Sequence, residues 1–525
     1  MLYSFLKQSA NISPDAIVFY SDNYKCTYIE LDEKVTILSN GLLQKGLKKG
    51  DRIASYLLNC PEGIYLYFAC FKIGVSVVII HPSFRDFEIR LLIENTQPKL
   101  LITQLELYKN IQQLGKEFSS LKDYYYLIDC SHNENSNILS FTDLLNETYQ
   151  NKNLIEEEEI SGEQEAIIYL TSGSTGRSKC VQSNHKQHFS YIETYKTLQF
   201  NYNDKFLLIS PINSLSGLNL GILLAVRYGS TFYYLSTNLP SKQYMKMIPS
   251  VLYEQKITCF ACISSLLRNL IEEIEQYTKK QYRKNFLRVC FVGGEKFSKL
   301  SSEKSRKYLG IYPHETYGMT ETSGPVAVSA DYPPICGRFK PLNETIKFRI
   351  TNDNWEDMPY NTSGEITIYS DTIMTGYVND QETTQKIIKN GWIKTGDIGY
   401  LESDDILNVV GRLKQIIICN GCNINLLELE ETIRECNDVY EVCATSIPYM
   451  ESEKPVVYVT FHSSHSINIV EDEEYLFSYL KERVAEFKIP LYIRILDVLP
   501  KNIIGKIDRK MLSEKALKEF TQHEI

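Results

Sequence analysis

The chain has 525 residues, 43% of them apolar and 23% charged, with a formal net charge of −9. That length exceeds what one hydrophobic core usually serves, so two or more globular domains are expected. The acidic balance argues against nucleic acid as the main partner, which would favour a basic surface.

The N-terminus, MLYSFLKQSANISPDAIVF, lacks a basic start followed by an apolar core, so it does not read as a signal peptide. The longest apolar stretch, Ile64 to Ile80, holds Lys72 and Gly74 in its middle. It reads as a buried helix running into a strand, not as a transmembrane segment. The 13 cysteines are odd in number and scattered from Cys26 to Cys443. Such usage suits free thiols in a reducing cytoplasm. Cys259/Cys262 and Cys419/Cys422 have a metal-like spacing but no histidine cluster beside them, and are read as thiols.

In chain order, Thr27 opens a helix that runs to Leu43 and stops at Gly46. A strand follows at Gly50 to Ala54, then another helix and strand to Pro82. This alternation implies parallel strands with helices on their faces. Residues 103–163 read as irregular, with an acidic solvated connector at Glu156 to Glu159. Ala166 to Leu170 is a buried strand that ends in Thr171-Ser172-Gly173-Ser174-Thr175-Gly176, six residues with two glycines and four hydroxyls. Glycine tolerates the backbone angles of a concave turn, so such a loop can wrap its N–H groups around an anion. Arg177 and Lys179 add positive charge. Only two residues separate Gly173 from Gly176, which excludes a Walker A loop. The pattern turns helical near Asn184, and that helix N-terminus is expected to face the same anion.

Asn213 to Val226 reads as a small-residue apolar helix whose start could line a pocket. Ile257 to Ile263 and Leu287 to Val292 read as buried strands, the second ending in Gly293-Gly294-Glu295. Two glycines at a strand end let a flat ring rest on backbone. In His314 to Thr322, Glu321 is a candidate Mg²⁺ ligand beside the hydroxyl of Thr320. Residues 336–410 are strand-rich and contain Gly391-Trp392-Ile393-Lys394-Thr395-Gly396-Asp397, where Asp397 could hold a ribose diol. A new unit begins at Gly411-Arg412-Leu413-Lys414. The expected division is a large domain over 1–410, a hinge at 411–414 and a small α+β domain over 415–525. Lys506 follows Gly505 on a loop near the end.

Together the blocks TSGSTGRSK (171–179), GGE (293–295), YGMTE (317–321), GEI…TGY (364–377), GWIKTGD (391–397), GRLK…G (411–421) and GKIDRK (505–510) resemble the adenylate-forming superfamily. That family includes acyl- and aryl-CoA synthetases, carrier-loading adenylation domains and firefly luciferase. The likeness runs from Thr27 to Leu512. It implies an α/β fold, with a large N-terminal domain of layered sheets plus a distorted β-barrel, and a small mobile α+β C-terminal domain.

The resemblance implies ATP-dependent adenylation of a carboxylic acid with release of pyrophosphate, then transfer of the acyl group to a thiol. By it, Thr171, Ser172, Gly173, Ser174, Thr175, Gly176 and Lys179 would hold the β- and γ-phosphates. Gly293, Gly294 and Glu295 would border the adenine, with Tyr317 stacking on it, and Gly318 would belong to the same nucleotide site. Thr320 would touch the α-phosphate, Glu321 would bind Mg²⁺, and Asp397 and Arg412 would hold the ribose. Lys506 would bridge the carboxylate and α-phosphate oxygens. Lys414 would be the pivot between the two half-reactions, and Gly421 would line the thiol tunnel. Asn213, Ser214, Gly217, Gly318, Met319 and Pro325 would form a small, apolar pocket suited to a hydrophobic or aromatic acid. Three positions depart from the family's usual residues: Ser178 for proline, Ser214 for a gating histidine and Ile418 for lysine. The last two leave the acceptor open between CoA, narrowly favoured, and the phosphopantetheine thiol of a separate carrier protein. An acyl-AMP-binding protein without catalysis is the contrasting reading, and the intact Lys506, Glu321 and Asp397 argue against it.

Overall fold

The computed structural model describes all residues except 22–23, 85, 112–117, 119–124, 129–137, 146–159, 172–178, 236–240, 279–285, 295–296, 420–421, 450–451, 463–466, 485–487, 503–504 and 524–525. The chain divides into two compact units. One comprises Met1–Arg349, Thr367–Thr395 and Leu401–Asn408, and the other Ile350–Ile366, Gly396–Tyr400 and Val409–Ile525.

Two sheets organise the first unit. The first has the spatial order Gly376–Tyr377, Lys179–Asn184, Glu165–Thr171, Ser76–Ile80, Arg52–Tyr56, Leu100–Thr103, Tyr125–Leu127, Ile138–Ser140. From Glu165–Thr171 onward its neighbours are parallel. Ser76–Ile80 and Leu100–Thr103 are buried along their whole length, as strands covered on both faces must be. The helix Tyr28–Gln44 begins in a capping box, with Thr27 and Glu30 exchanging backbone hydrogen bonds. The helix Pro61–Ile73 has proline at its start and ends on left-handed Gly74. No described helix is long and apolar enough to cross a membrane.

The second sheet runs Lys25–Thr27, Ile17–Tyr20, Thr231–Tyr234, Lys205–Leu208, Cys259–Ile263, Val289–Gly293, His314–Met319, Gly324–Ser329, Arg338–Pro341. It is parallel from Ile17–Tyr20 to His314–Met319, then turns antiparallel. A core including Leu207, Phe260, Leu270, Ile271 and Val292 packs helices Ser241–Glu254 and Ser264–Thr278 against it.

The second unit is α+β. A three-stranded sheet of Val439–Tyr449, Ser452–Phe461 and Ile493–Ile495 alternates its side chains between two cores. Val442, Val457 and Val459 join Leu429, Leu476 and Leu480 on one face, while Cys443, Val456 and Tyr458 join Leu499 and Leu512 on the other. Helices Leu426–Arg434 and Ile469–Lys481 supply the first face and Arg509–His523 the second.

Three expectations need correction. Within the stretch read as irregular, Tyr125–Leu127 and Ile138–Ser140 are strands. Each has three residues and exists by pairing at the sheet edge, which leaves almost no local signal. The helix His185–Glu193 does begin after Asn184, but a six-residue strand, Lys179–Asn184, separates it from the glycine-rich loop. The hairpin pairs Thr171 with Lys179 at its loop end and Glu165 with Asn184 at its far end. The helix N-terminus therefore lies about 17 Å along the strand from the loop's foot and does not face it. Finally, residues 217–223 form a π-helical turn inside the helix expected over Asn213 to Val226.

Candidate active site

Among the residues expected to hold phosphate, Ser172, Gly173, Ser174, Thr175 and Gly176 lie outside the described residues, and their two flanks are placed. Thr171 Oγ1 donates to the carbonyl of Lys179 at 3.5 Å, closing the hairpin below the loop. The Lys179 ammonium sits 4.8 Å from the centroid of the Tyr377 ring. The Tyr377 hydroxyl donates to Glu321 Oε1 at 2.8 Å. Lys179 and Glu321, 142 positions apart in the chain (321 − 179), are thus joined through one tyrosine.

Backbone pairing fixes that tyrosine. Tyr377 sits opposite Val181 and Gly376 opposite Gln182. Thr375 N–H donates to Gln182 O at 2.9 Å and Val378 N–H to Cys180 O at 2.9 Å. Just before this strand, Met374 N–H donates to Glu321 O at 2.7 Å. Burial, and then the charge of Glu321, push the Tyr377 hydroxyl well above the usual phenol range. It remains protonated and so a donor at any ordinary pH. Asp380 caps the next helix through the Thr383 N–H at 3.1 Å, and Thr383 holds its carboxyl below the usual range, with Lys179 adding to the effect. Tyr377 belongs to a block quoted for the family likeness, yet sequence reasoning gave it no role.

The strands Val289–Gly293 and His314–Met319 run side by side, with Gly293 opposite Thr316. A Cβ on Gly293 would lie 2.4 Å from Thr316 Oγ1, so only glycine fits there. Gly294 follows at φ +77°, and Glu295 lies outside the described residues. Tyr317 is half-buried, its ring 5.6 Å from Phe339. Gly318 opposes Pro325, and a Cβ on it would stand 2.4 Å from Gly324 O. After half-buried Met319, Thr320–Thr322 makes one 3-10 turn, which carries Glu321 almost fully buried at 8% exposure. Ser323 closes the turn at φ +59°.

Asn213 requires a correction. It is 1% exposed, and its amide is fully spent. Nδ2 donates to Ser55 O and Ile80 O, both at 3.0 Å, while Oδ1 accepts from Tyr67 and, at 3.4 Å, from Ser55. It ties the two sheets together and has nothing left for a substrate. Ser214 likewise serves the backbone, donating to Pro211 O at 2.6 Å and accepting from Gly217 N–H at 3.1 Å. A Cβ on Gly217 would sit 1.9 Å from Pro211 O, which makes this turn glycine-specific.

In the second unit Arg412 Nε meets Asp397 Oδ1 at 2.9 Å. Asp397 lies within the strand Trp392–Leu401, not in a turn, with its side chain 9% exposed against 49% for Arg412. The preceding Gly396, at φ +72°, donates its N–H to Glu365 Oε1 at 3.1 Å. Lys414 has its backbone in the 3-10 turn Leu413–Gln415, and Gly421 lies outside the described residues. Lys506 sits in a tight hairpin bridged by Lys501 and Ile507. Its N–H donates to Asn502 Oδ1 at 3.0 Å and its carbonyl accepts from Asn502 N–H at 2.7 Å. Three residues on, Arg509 pairs at 2.5 Å with the buried carboxylate of Glu430, which also accepts from Ala444 N–H at 2.8 Å. This pair fixes the hairpin to the sheet of its own unit.

The AMP-binding enzyme family matches residues 6–378, and the AMP-binding enzyme C-terminal domain matches residues 428–506. The chain is 28% identical to a 2-succinylbenzoate–CoA ligase of Bacillus licheniformis over 97% of its own length and 99% of that ligase. It is 27% identical to a crotonobetaine/carnitine–CoA ligase of Escherichia coli, over 93% and 92% of the two chains. The fold matches the anthranilate–CoA ligase AuaEII in complex with anthranoyl-AMP, with TM-score 0.88, 18% identity and coverage of 99% and 98%. It also matches the o-succinylbenzoate–CoA synthetase MenE of Bacillus subtilis in complex with ATP and magnesium, with TM-score 0.79, 25% identity and coverage of 97% and 98%. A matched family covering most of the chain, on a fold shared with such ligases, means that this protein belongs to the AMP-binding enzymes of the adenylate-forming superfamily and is an acid–thiol ligase of the AMP-forming type.

Proposed function

We propose that the enzyme adenylates a hydrophobic acyl or aryl carboxylic acid with ATP, releases pyrophosphate, and passes the acyl group to the thiol of CoA. Its cofactors are ATP and Mg²⁺. The observation that carries the reading is the convergence of Lys179, Tyr377 and Glu321, each from a different sequence block, on one hydrogen-bonded and cation–π cluster. The names of the relatives, all CoA ligases, support CoA as the acceptor.

The donors present suit the nucleotide. Glu321 offers a carboxylate whose orientation Tyr377 fixes, and a hard oxygen ligand of this kind fits Mg²⁺. Bound there, the metal supplies shielding of phosphate charge. Lys179 adds positive charge beside the hydroxyl-rich loop for the β- and γ-phosphates. Thr320 hydrogen-bonds the α-phosphate, and the backbone of Gly293 and Gly294 with the Tyr317 ring receives the adenine. Asp397 accepts from the ribose hydroxyls while Arg412 holds its carboxylate in place.

The chemical problem is two anions that must meet, a carboxylate and a phosphate. Lys506 lowers that barrier by placing an ammonium where negative charge accumulates as the new C–O–P bond forms. Lys414 serves as the pivot residue for the second half-reaction, in which the thiol attacks the acyl carbon and AMP leaves. Gly217, Gly318, Met319 and Pro325 border the acid.

The test is ATP–pyrophosphate exchange across a panel of aliphatic and aromatic acids, followed by mass spectrometry of the product with CoA or a phosphopantetheinylated carrier offered in parallel. Exchange with one acid class and an acyl-CoA product are expected. If no acid supports exchange the reading fails, and if only the carrier is loaded the acceptor is reassigned.

A further inference from the structure

A second buried polar chain in the first unit leads to the backbone of the turn that carries Glu321. Ser183 Oγ lies 2.7 Å from His188 Nε2, His188 Nδ1 lies 3.1 Å from Asn219 Oδ1, and Asn219 Nδ2 donates to Ser323 O at 2.8 Å. Ser323 Oγ then donates to Thr372 O at 2.9 Å. None of these five side chains is more than 2% exposed. They come from the strand after the glycine-rich loop, the helix His185–Glu193, the π-helical turn, the turn that carries Glu321, and the segment leading to Tyr377.

The chemistry of the groups fixes the direction of the bonds from His188 to Asn219 and from Asn219 to Ser323. A carbonyl only accepts, so Ser323 O requires the amide nitrogen of Asn219, which leaves Oδ1 toward His188. Oδ1 also only accepts, so His188 carries its proton on Nδ1. A neutral imidazole has one N–H, so Nε2 is left as an acceptor facing the Ser183 hydroxyl, whose single proton the Ile167 carbonyl at 3.0 Å also draws. The end of the chain is a backbone under constraint, because Ser323 holds a left-handed φ of +59° that L side chains seldom adopt. Its N–H closes the turn on Thr320 O at 3.0 Å. Asn219 thus holds the carbonyl of the residue that closes the turn carrying Thr320 and Glu321.

We propose that Asn219, oriented by the Nδ1–H of His188, is a positioning residue for the Thr320–Glu321 turn, setting the affinity of the Glu321 carboxylate for Mg²⁺-bound nucleotide. This rests on the assignment of Glu321 to Mg²⁺ above. Both side chains are buried and hydrogen-bonded inside the protein. Their effect passes through the backbone of Ser323, as partners behind a metal ligand act through the ligand's orientation.

Histidine permits a test that separates positioning from packing. An asparagine side chain places an N–H donor where Nδ1 stood, and a glutamine places its amide where Nε2 stood. His188→Asn therefore keeps the bond to Asn219, while His188→Gln loses it. In the full-length enzyme, His188→Gln and the near-isosteric Asn219→Asp are expected to raise the apparent KM for Mg²⁺ in pyrophosphate exchange by about tenfold or more. His188→Asn stays near wild type. The second readout needs no turnover: the rise in melting temperature on adding Mg·ATP without acid shrinks in His188→Gln and Asn219→Asp but not in His188→Asn. If Asn219→Asp does not fold, the His188→Asn and His188→Gln pair carries the comparison. Wild-type Mg²⁺ dependence and melting shift in His188→Gln overturn the proposal, as does equal loss in His188→Asn and His188→Gln. A wild-type enzyme whose melting temperature ignores Mg·ATP refutes the nucleotide assignment itself, which is a different result from wild-type response with indifferent variants.

Discussion

Removing the Tyr377 hydroxyl tests the centre of the functional reading. Tyr377→Phe keeps the ring beside Lys179, so the cation–π contact at 4.8 Å survives, but it deletes the 2.8 Å bond to Glu321 Oε1. A hydrogen bond to a charged acceptor is worth about 1.5–3 kcal/mol. With Glu321 at 8% exposure, water cannot readily replace the lost donor. At about 1.4 kcal/mol per decade, adenylation at subsaturating Mg²⁺ should fall roughly 10- to 100-fold. Tyr377→Ala also removes the ring, and the cation–π contact is worth about 0.5–2 kcal/mol more. The assay is pyrophosphate exchange titrated with Mg²⁺ and with ATP, alongside thermal melting. The hydroxyl effect should appear in the Mg²⁺ titration and the ring effect in the ATP titration. If Tyr377→Phe matches wild type in both titrations, the Lys179–Tyr377–Glu321 cluster has no part in nucleotide handling and the reasoning is refuted.

Lys506→Ala should lower acyl-AMP formation by roughly 10²–10³ while ATP still binds, because the charge it supplies matters where the new bond forms. Exchange at the wild-type rate removes that role. Lys414→Pro, which restricts the backbone of the 3-10 turn, should spare adenylation and depress thioester formation, read as exchange against acyl-CoA yield. Equal losses in both steps would count against a pivot. Asn213→Ala strands the partners of a fully spent amide, and each buried group left unsatisfied costs about 1–3 kcal/mol. Its melting temperature should drop while the preference among acids stays the same, and a changed preference would return Asn213 to the pocket. Stability should also fall on mild acidification. Burial pushes His185 down to about 3 and His188 to about 4, below the ordinary imidazole range near 6.5. Below about pH 6.5 the unfolded chain takes up these protons while the folded chain does not. Stability is therefore complete above that pH and declines toward pH 4, by about 1.4 kcal/mol per pH unit for each histidine. Denaturant melts between pH 7 and 5 should show the slope, and His185→Phe should flatten it by one proton's worth. A slope identical to wild type in that variant contradicts the assignment.

The sequence determined the elements with strong local signals. Thr27 and Glu30 mark a helix start because the capping box is written within four residues. Pro61 and Gly74 bracket a helix for equally local reasons, and all-apolar runs such as Val77 to Ile80 declare strands buried on both faces. The motif blocks, in their order, likewise carry the resemblance to nucleotide-using, adenylate-forming enzymes.

Tertiary structure alone decided what those blocks do to one another. Tyr377 meets Glu321 only because its strand pairs in register with Val181, and no local pattern encodes a register set between residues nearly 200 apart. Asn213 looked like a pocket residue until the partners from the other sheet, Ser55, Ile80 and Tyr67, showed its amide saturated. Asp397 follows a glycine in the sequence, and only cross-strand pairing places it within the strand Trp392–Leu401. His188 and Asn219 gave no sequence signal, since a lone histidine and an asparagine in an apolar helix mean nothing until three other segments close around them. Periodicity, caps and turn residues act over a few positions and can be read along the chain. Hydrogen-bond partners of buried groups are chosen by packing, at distances in sequence over which that reading carries no information.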